Sequence, residues 1–178
     1  NFNHDQLKKI NSLVSNTSLK KVAAIECHYN IIERKMETGV IPECVKNGVS
    51  LIPYRALARG ILSGQYNSNK IPLGSRAEDS WRVRQWLKPE IINLVKEIQN
   101  LASNFNMTVA QFSLSWLLSK SIVCSAVLGL KSKKQLDQLL ICTKFEMKKE
   151  IYDKIDNLIS LNGESLGVMG RPDVYFEK

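Results

Sequence analysis

The sequence predicts an α/β fold on a parallel sheet, and only part of a larger fold. Short β-branched runs alternate with amphipathic helical stretches along the chain, the pattern of βα units and hence of a parallel sheet, open or closed into a barrel. Three full strands come out of that pattern, too few for either architecture. The 178 residues also fall short of the roughly 250 of a (β/α)8 barrel. A doubly wound sheet would in addition carry a phosphate fingerprint near its first strand, and none is present.

The elements follow in order. Asn3, His4, Asp5 and Gln6 have the form of a capping box, and Leu7, Ile10, Leu13 and Val14 continue at helical spacing, so a helix is expected over about 4–15. Residues 21–29, rich in Val, Ala and Ile between a Ser-Asn-Thr-Ser run and Asn30, fit an interior strand. A helix over 37–47 closed by Gly48 comes next, then a strand over 49–53. That strand empties into residues 53–66, Pro-Tyr-Arg-Ala-Leu-Ala-Arg-Gly-Ile-Leu-Ser-Gly-Gln-Tyr. A loop with Gly60, Gly64, an aromatic at its mouth and two arginines is suited to wrap an extended, phosphorylated ligand.

Residues 72–84 read as irregular, a long loop with the character of a lid. Pro89 at a first helical position opens a helix expected to bury Ile92, Val95 and Leu101. Thr108 and Gln111 form a second capping box before the helix of Phe112, Leu114, Trp116 and Leu117, and 122–128 is expected to be a third buried strand ending at Gly129. Helices over 133–141 and 148–161 follow, and a tail, 162–178, without clear period is expected to wrap a surface. The chain is read as a single partial domain, 1–178.

Composition narrows the function. At 44% apolar the chain supports one ordinary core. No apolar run approaches the roughly 20 residues of a bilayer span. The first residues lack a charged and apolar leader, so a soluble, cytoplasmic chain without membrane association is expected. Cys27, Cys44, Cys124 and Cys142 form no C-x-x-C pair, and His4 and His28 lack metal-ligand spacing to them; reduced thiols and no metal site are expected. The net charge of +8 permits an anionic partner. Without a polybasic block, a zinc finger or aromatics interleaved with arginines, it reads as solvated helix faces rather than a nucleic-acid surface.

Residues 129–135, Gly-Leu-Lys-Ser-Lys-Lys-Gln, join the third strand to a helix, with Ser132 and Gln135 as a third capping box. Lys133 and Lys134 then occupy the first turn, where the helix macrodipole disfavours cations by roughly a few tenths of a kcal/mol unless an anion binds. Exposed lysines tolerating a screened repulsion are the alternative. This turn and the arginine loop follow consecutive strands, where barrels often assemble a phosphate site, and the pair points to a nucleotide.

Together these segments resemble the aldo-keto reductases. Asn1, Phe2 and Asn3 are similar to the end of the Gly-Val-Ser-Asn-Phe motif that closes that family's fifth strand. His-Tyr-Asn-Ile-Ile-Glu-Arg at 28–34 resembles Glu-Tyr-Asn-Leu-Leu-Asp-Arg after the sixth. Residues 53–66 resemble the seventh-strand loop, Pro-Leu-Gly-Ser-Arg-Ala at 72–77 the lid, and 127–135 the phosphate site after the eighth. The resemblance covers residue 1 to about 160 and is nearest the branch that includes the potassium-channel β subunits.

It implies the C-terminal part of a (β/α)8 barrel: the end of strand five, then strands six to eight with their helices. It implies NADPH as cofactor, with Asn1 near the nicotinamide carboxamide and the Tyr54 ring against the nicotinamide face. Arg55, Ala56, Leu57, Ala58 and Arg59 would line the pyrophosphate, and Arg76 would close over it. Gly129, Leu130, Lys131, Ser132 and Gln135 would address the adenosine 2′-phosphate and ribose, favouring NADPH over NADH.

Four positions depart from the family pattern: Glu26 stands for a carboxamide-binding Gln, Gln65 for a Lys, and Gln138 with Leu139 for an adenine-contacting Glu-Asn. An ionised Glu26 accepts from an amide NH₂ but cannot donate to its carbonyl. The family's catalytic tetrad of Asp, Tyr, Lys and His belongs to the first four strands, so no catalytic residue is assigned within this chain. His28 and Tyr29 fall on the sixth-strand motif and do not replace it. The implied function is NADPH-dependent reduction of an aldehyde or ketone. This chain would be the cofactor-binding half, its partner the N-terminal half of the barrel, and the 178-residue chain inactive alone. A non-catalytic NADPH-binding regulatory subunit of the channel-β type, or an inactive remnant, stay open as alternatives.

Overall fold

A computed structural model describes residues 1–66 and 71–161; the tail expected over 162–178 lies outside the described residues. At the N-terminus, Asn3 Oδ1 accepts the Gln6 N–H and Gln6 Oε1 accepts the Asn3 N–H, and this reciprocal cap opens α1 (His4–Ser15). Only Leu7 of its apolar residues is buried. β1 (Ala24–His28) is shorter than the 21–29 expected. The helix expected over 37–47 is broken in two by Gly39: a 3₁₀ turn, Lys35–Thr38, precedes α2 (Val40–Asn47). Gly48, at φ 67°, closes α2 in the left-handed conformation, which glycine adopts without a Cβ penalty.

β2 (Ser50–Tyr54) pairs in parallel with β1, in the register Ala24 with Ser50 through His28 with Tyr54. On the far side of β2 the third strand departs from expectation. Leu51 N–H donates to Ile122 O (2.8 Å) and Cys124 N–H to Leu51 O (3.0 Å), giving one parallel bridge between Leu51 and Val123. The next bond runs from Val127 N–H to Pro53 O (2.8 Å), so three steps along this segment answer two along β2. The cause is Pro53. Leu51 turns both backbone groups toward the third segment, and two residues on Pro53 turns the same edge toward it without an N–H to give. The ladder slips by one residue there, as at a bulge. Of residues 122–128 only Val123 is buried, and Val127 is 48% exposed.

Helices cover one face of the sheet. α5 (Pro89–Ser103) starts at Pro89 and buries Ile91, Leu94, Val95, Ile98 and Ala102, a stripe at helical spacing. Ile92 and Leu101, expected inside, are half-buried; with isoleucine at both 91 and 92, only Leu94 and Ile98 decide the phase. α6 (Val109–Leu118) carries the second capping box, Thr108 N–H to Gln111 Oε1 (2.8 Å) and Gln111 N–H to Thr108 Oγ1 (3.2 Å). It is buried from Val109 to Leu117, and its polar side chains are used inward: Gln111 Nε2 donates to Gln138 O (2.7 Å) and Ser115 Oγ to Cys142 O (2.9 Å). These bonds dock α7 (Lys133–Leu139) and the 3₁₀ turn Leu140–Lys144.

α8 (Lys149–Leu161) is held by Arg34, which donates to Asp156 Oδ1 (2.6 Å) and in a fork to both oxygens of Glu37 (2.9 and 2.8 Å). Tyr29 Oη donates to the same Glu37 (2.6 Å), and the Arg34 guanidinium lies 5.2 Å from the Trp116 ring centre. Bidentate, part-buried pairs of this kind position elements more firmly than exposed ion pairs do. Among the described residues no helix is long and apolar enough to cross a membrane, and no group of His, Cys, Asp and Glu is placed to hold a metal ion.

Cys27, Cys44 and Cys142 are buried and Cys124 is exposed. Burial pushes the Cys27 thiol up to about 12 and that of Cys44 to about 11, far from the thiolate form that reacts. An aromatic disulfide reagent should therefore titrate one thiol of the native 178-residue chain rapidly, and Cys124→Ser should abolish that phase. A rapid phase surviving the substitution contradicts the packing.

Candidate functional site

Pairing in register sets the site. His28 and Tyr54 end their strands opposite one another, and in a pleated sheet paired residues project from the same face. The alternate residues Ile25, Cys27, Leu51 and Pro53 are buried against the helices, so His28 and Tyr54 lie on the other face. There their rings stack, centroids 5.7 Å apart and planes at 14°. Glu26, two residues back on that face, is exposed. Tyr54 Oη donates to Asn1 Oδ1 (2.8 Å), so two residues proposed for the nicotinamide from motif likeness are in contact.

Beyond Tyr54 the backbone turns through the left-handed region at Arg55 (φ 54°), Ala58 (φ 48°), Arg59 (φ 57°) and Gly60 (φ 96°). For non-glycine residues this conformation costs about 1–2 kcal/mol each and persists only where the surroundings impose it. Asn30 anchors the first of these residues. Its fully buried amide donates from Nδ2 to Arg55 O (3.1 Å), while Oδ1 accepts the N–H groups of Ile32 (3.1 Å) and Glu33 (3.0 Å). Ala58 N–H closes the turn on Arg55 O (2.7 Å). Ala56 and Ala58 are buried, whereas Arg55, Leu57 and Arg59 are half-buried, with Arg59 Nε itself out of solvent.

The lid expected to be irregular contains two short helices, α3 (Arg76–Asp79) and α4 (Trp81–Arg84). Tyr66 pins its base, because its buried Oη accepts the Ala77 N–H (3.1 Å). Arg76 is exposed. At the lid's far end, the Arg59 guanidinium lies 4.9 Å from the Trp86 ring centre and that of Arg55 6.0 Å from it and 5.5 Å from the Tyr54 ring.

Residues 129–135 arrive by way of the bond from Val127 to Pro53, which leads this turn toward the same end of the sheet. The third capping box is only half formed. Ser132 Oγ accepts the Gln135 N–H (3.3 Å), but Gln135 Oε1 takes the Lys131 N–H (2.7 Å) rather than that of Ser132. Gly129, Lys131, Ser132 and Gln135 are exposed and Leu130 is half-buried.

His28 and Asn30 lie in the 28–34 segment with no site role assigned there, and Trp86 lies outside every motif. A polar amide just after a strand was the available signal for Asn30; Trp86 left none, since the arginines it meets are 27 and more residues away.

His28 is held well below its usual value, at about 4 against 6.5, by burial first and then by the charges of Arg55 and Arg59. Between those values the unfolded chain binds a proton the folded chain refuses, so stability falls as the pH drops from 6.5 toward 4. His28→Phe, which keeps a ring on Tyr54, should flatten that fall in the urea midpoint; an unchanged pH slope would show that His28 is not the titrating group. Asn30→Ala leaves the Ile32 N–H without its partner, removes one of two acceptors from the Glu33 N–H and one of two donors from Arg55 O, and should lower unfolding stability by about 1–3 kcal/mol in urea titrations, and a loss under about 0.5 kcal/mol would remove Asn30 as the anchor.

Comparison with known proteins bears on these features. The Aldo/keto reductase family model matches residues 1–160. The NADH-specific methylglyoxal reductase of Escherichia coli is 29% identical over 112 residues, covering 63% of this chain and 34% of that protein. A probable voltage-gated potassium channel subunit beta of Arabidopsis thaliana is 29% identical over 114 residues, 62% of this chain and 35% of its own length. The NADP(+) aldo-keto reductase yakc of Schizosaccharomyces pombe is 28% identical over 144 residues, 76% of this chain and 42% of its own length. The matches thus span between 34% and 42% of these relatives.

Proposed function

The chain belongs to the Aldo/keto reductase family, and we propose that it forms the nicotinamide-dinucleotide half of a cytoplasmic (β/α)8-barrel oxidoreductase that reduces an aldehyde or ketone with NADPH. The observation that carries this reading is the strained loop after β2, where Arg55 and Arg59 are held in left-handed backbone beside a tyrosine that is already hydrogen-bonded to Asn1. Backbone strain of this kind collects where a ligand is held, and two arginines on one turn suit the planar, doubly charged groups of a pyrophosphate.

In this reading the cofactor supplies a hydride to the carbonyl carbon. The chain's own residues bind and orient. Tyr54 offers its ring to the nicotinamide, with Asn1 beside it and Glu26 accepting from a carboxamide NH₂. Arg55, Ala56, Leu57, Ala58 and Arg59 hold the diphosphate, and Arg76 closes over it from the lid. Gly129, Leu130, Lys131, Ser132 and Gln135 receive the adenosine end and its 2′-phosphate. β1 and β2 with the segment at 122–128 correspond to strands six to eight, and the remaining strands would complete the barrel and bring the general acid that protonates the carbonyl oxygen. No residue of the 178 takes that part.

A second reading, a regulatory nucleotide-binding subunit without turnover, is favoured by the match to the channel subunit of Arabidopsis. Carbonyl-dependent NADPH oxidation separates the two. The 178-residue chain should show none above background while the complete protein turns over; turnover by the chain alone would overturn the assignment of the acid to the other strands. A complete protein that binds NADPH without turnover favours the second reading. Lys131→Ala with Ser132→Ala should weaken NADPH by about tenfold, and NADH by less than about twofold, through loss of charge-assisted contacts; equal loss for both would remove the 2′-phosphate assignment.

A further inference from the structure

Glu26, His28 and Tyr54 share the open face of the sheet, because alternate residues of a strand project to one side and His28 is paired with Tyr54. We propose that His28 and Glu26 together bind one carboxamide, the imidazole donating to its carbonyl oxygen while the carboxylate accepts from its NH₂. His28 is then a specificity-determining residue for the nicotinamide end of the ligand. The inference rests on the dinucleotide reading and deepens it by assigning the donor that an ionised Glu26 cannot supply.

Three observations carry it. First, the spacing suits one small group. Residues two apart on a strand stand about 6.5–7 Å from each other on the same face, and a group whose donor and acceptor ends each lie about 2.9 Å from a protein atom fills a gap of that order. A primary carboxamide is such a group, with both ends on one carbon. Second, the two side chains are not spent on other described residues. Glu26 is exposed. The half-buried His28 ring is held by its stack on Tyr54, and its Nε2 is out of solvent without a hydrogen-bond partner. The ring therefore meets the open face through Nδ1, and a ring enclosed this far gains from a ligand that bonds its remaining nitrogen. Third, the imidazole is uncharged, held so by burial first and then by the charges of Arg55 and Arg59. A neutral ring carries one N–H and one lone pair, whereas ionised Glu26 offers acceptors alone. Side by side they present one donor and one acceptor, the complement of an amide and not of a carboxylate, which Glu26 repels.

The test titrates the complete protein by calorimetry with three ligands: NADP⁺, its acetylpyridine analogue, in which a methyl group replaces the carboxamide NH₂, and the adenosine bisphosphate that carries the 2′-phosphate but no nicotinamide. Glu26→Ala should weaken NADP⁺ by about five- to tenfold and the analogue by less than about twofold, since the analogue has no NH₂ to lose. His28→Phe, which keeps a ring on Tyr54, should weaken both by about five- to tenfold, because both keep the carbonyl. Neither variant should move the adenosine bisphosphate. Glu26→Gln in the His28→Phe background should bring NADP⁺ back to within about threefold of the unsubstituted protein, because one amide then accepts and donates. Full NADP⁺ affinity in His28→Phe, an analogue indifferent to that substitution, an equal loss for the adenosine bisphosphate, or no recovery with Glu26→Gln overturns the proposal while the dinucleotide reading stands. An unsubstituted complete protein that binds neither NADP⁺ nor the analogue overturns both.

Discussion

The site depends on one buried amide. Asn30 sits at the end of β1 and spends its side chain in two directions, accepting from Ile32 and Glu33 and donating to Arg55 O. The first pair folds the chain back after β1 into the tight Asn30–Glu33 bridge; the last bond fixes where the chain after β2 must turn. A charged or water-linked anchor would leave slack at Arg55. A fully buried neutral amide with defined partners does not, because losing it strands the Ile32 N–H and removes one of two bonds at the Glu33 N–H and at Arg55 O. The positive φ of Arg55 follows from that anchor, and so does the direction in which its side chain leaves the sheet.

Electrostatics then shape what the loop presents. Arg55 and Arg59 lie against the rings of Tyr54 and Trp86, and Arg34 against that of Trp116. Arg34 is forked onto Glu37 and reaches Asp156, neutralised and committed to docking α8.

Legibility in the sequence followed the range of the interaction. The caps at Asn3 and Thr108, the close of α2 at Gly48 and the start of α5 at Pro89 are decided by side chains within four residues, and each was readable. The third strand was not, because its regularity depends on whether its neighbour can donate: Pro53 lies in β2, while the consequence appears some 70 residues later at Val127. In α5, Val95 is buried as expected while Ile92 and Leu101 are half-buried, for a local reason: two adjacent isoleucines satisfy either face. In the candidate site, Tyr54 and the arginines were named from motif likeness; the bond from Asn30 to Arg55 O and the contacts of Trp86 with Arg55 and Arg59 join residues 25 or more apart, which no local pattern records.

The two ends of the proposed dinucleotide site differ in construction, and the difference bears on cofactor choice. The loop at 55–60 is held by a buried amide, strained backbone and fixed rings, so its geometry is costly to alter. The turn at 129–135 is exposed and half capped, with Gln135 spending its side chain on Lys131 rather than on the helix start. Substitutions there disturb no buried bond and cost little stability. In the proposed site the diphosphate common to both nicotinamide dinucleotides would lie at the rigid end, and the group that distinguishes them at the adaptable end. A family in which one relative carries NADH in its name and another NADP(+) is what such a division allows, since preference can change at an exposed turn while the strained loop stays as it is.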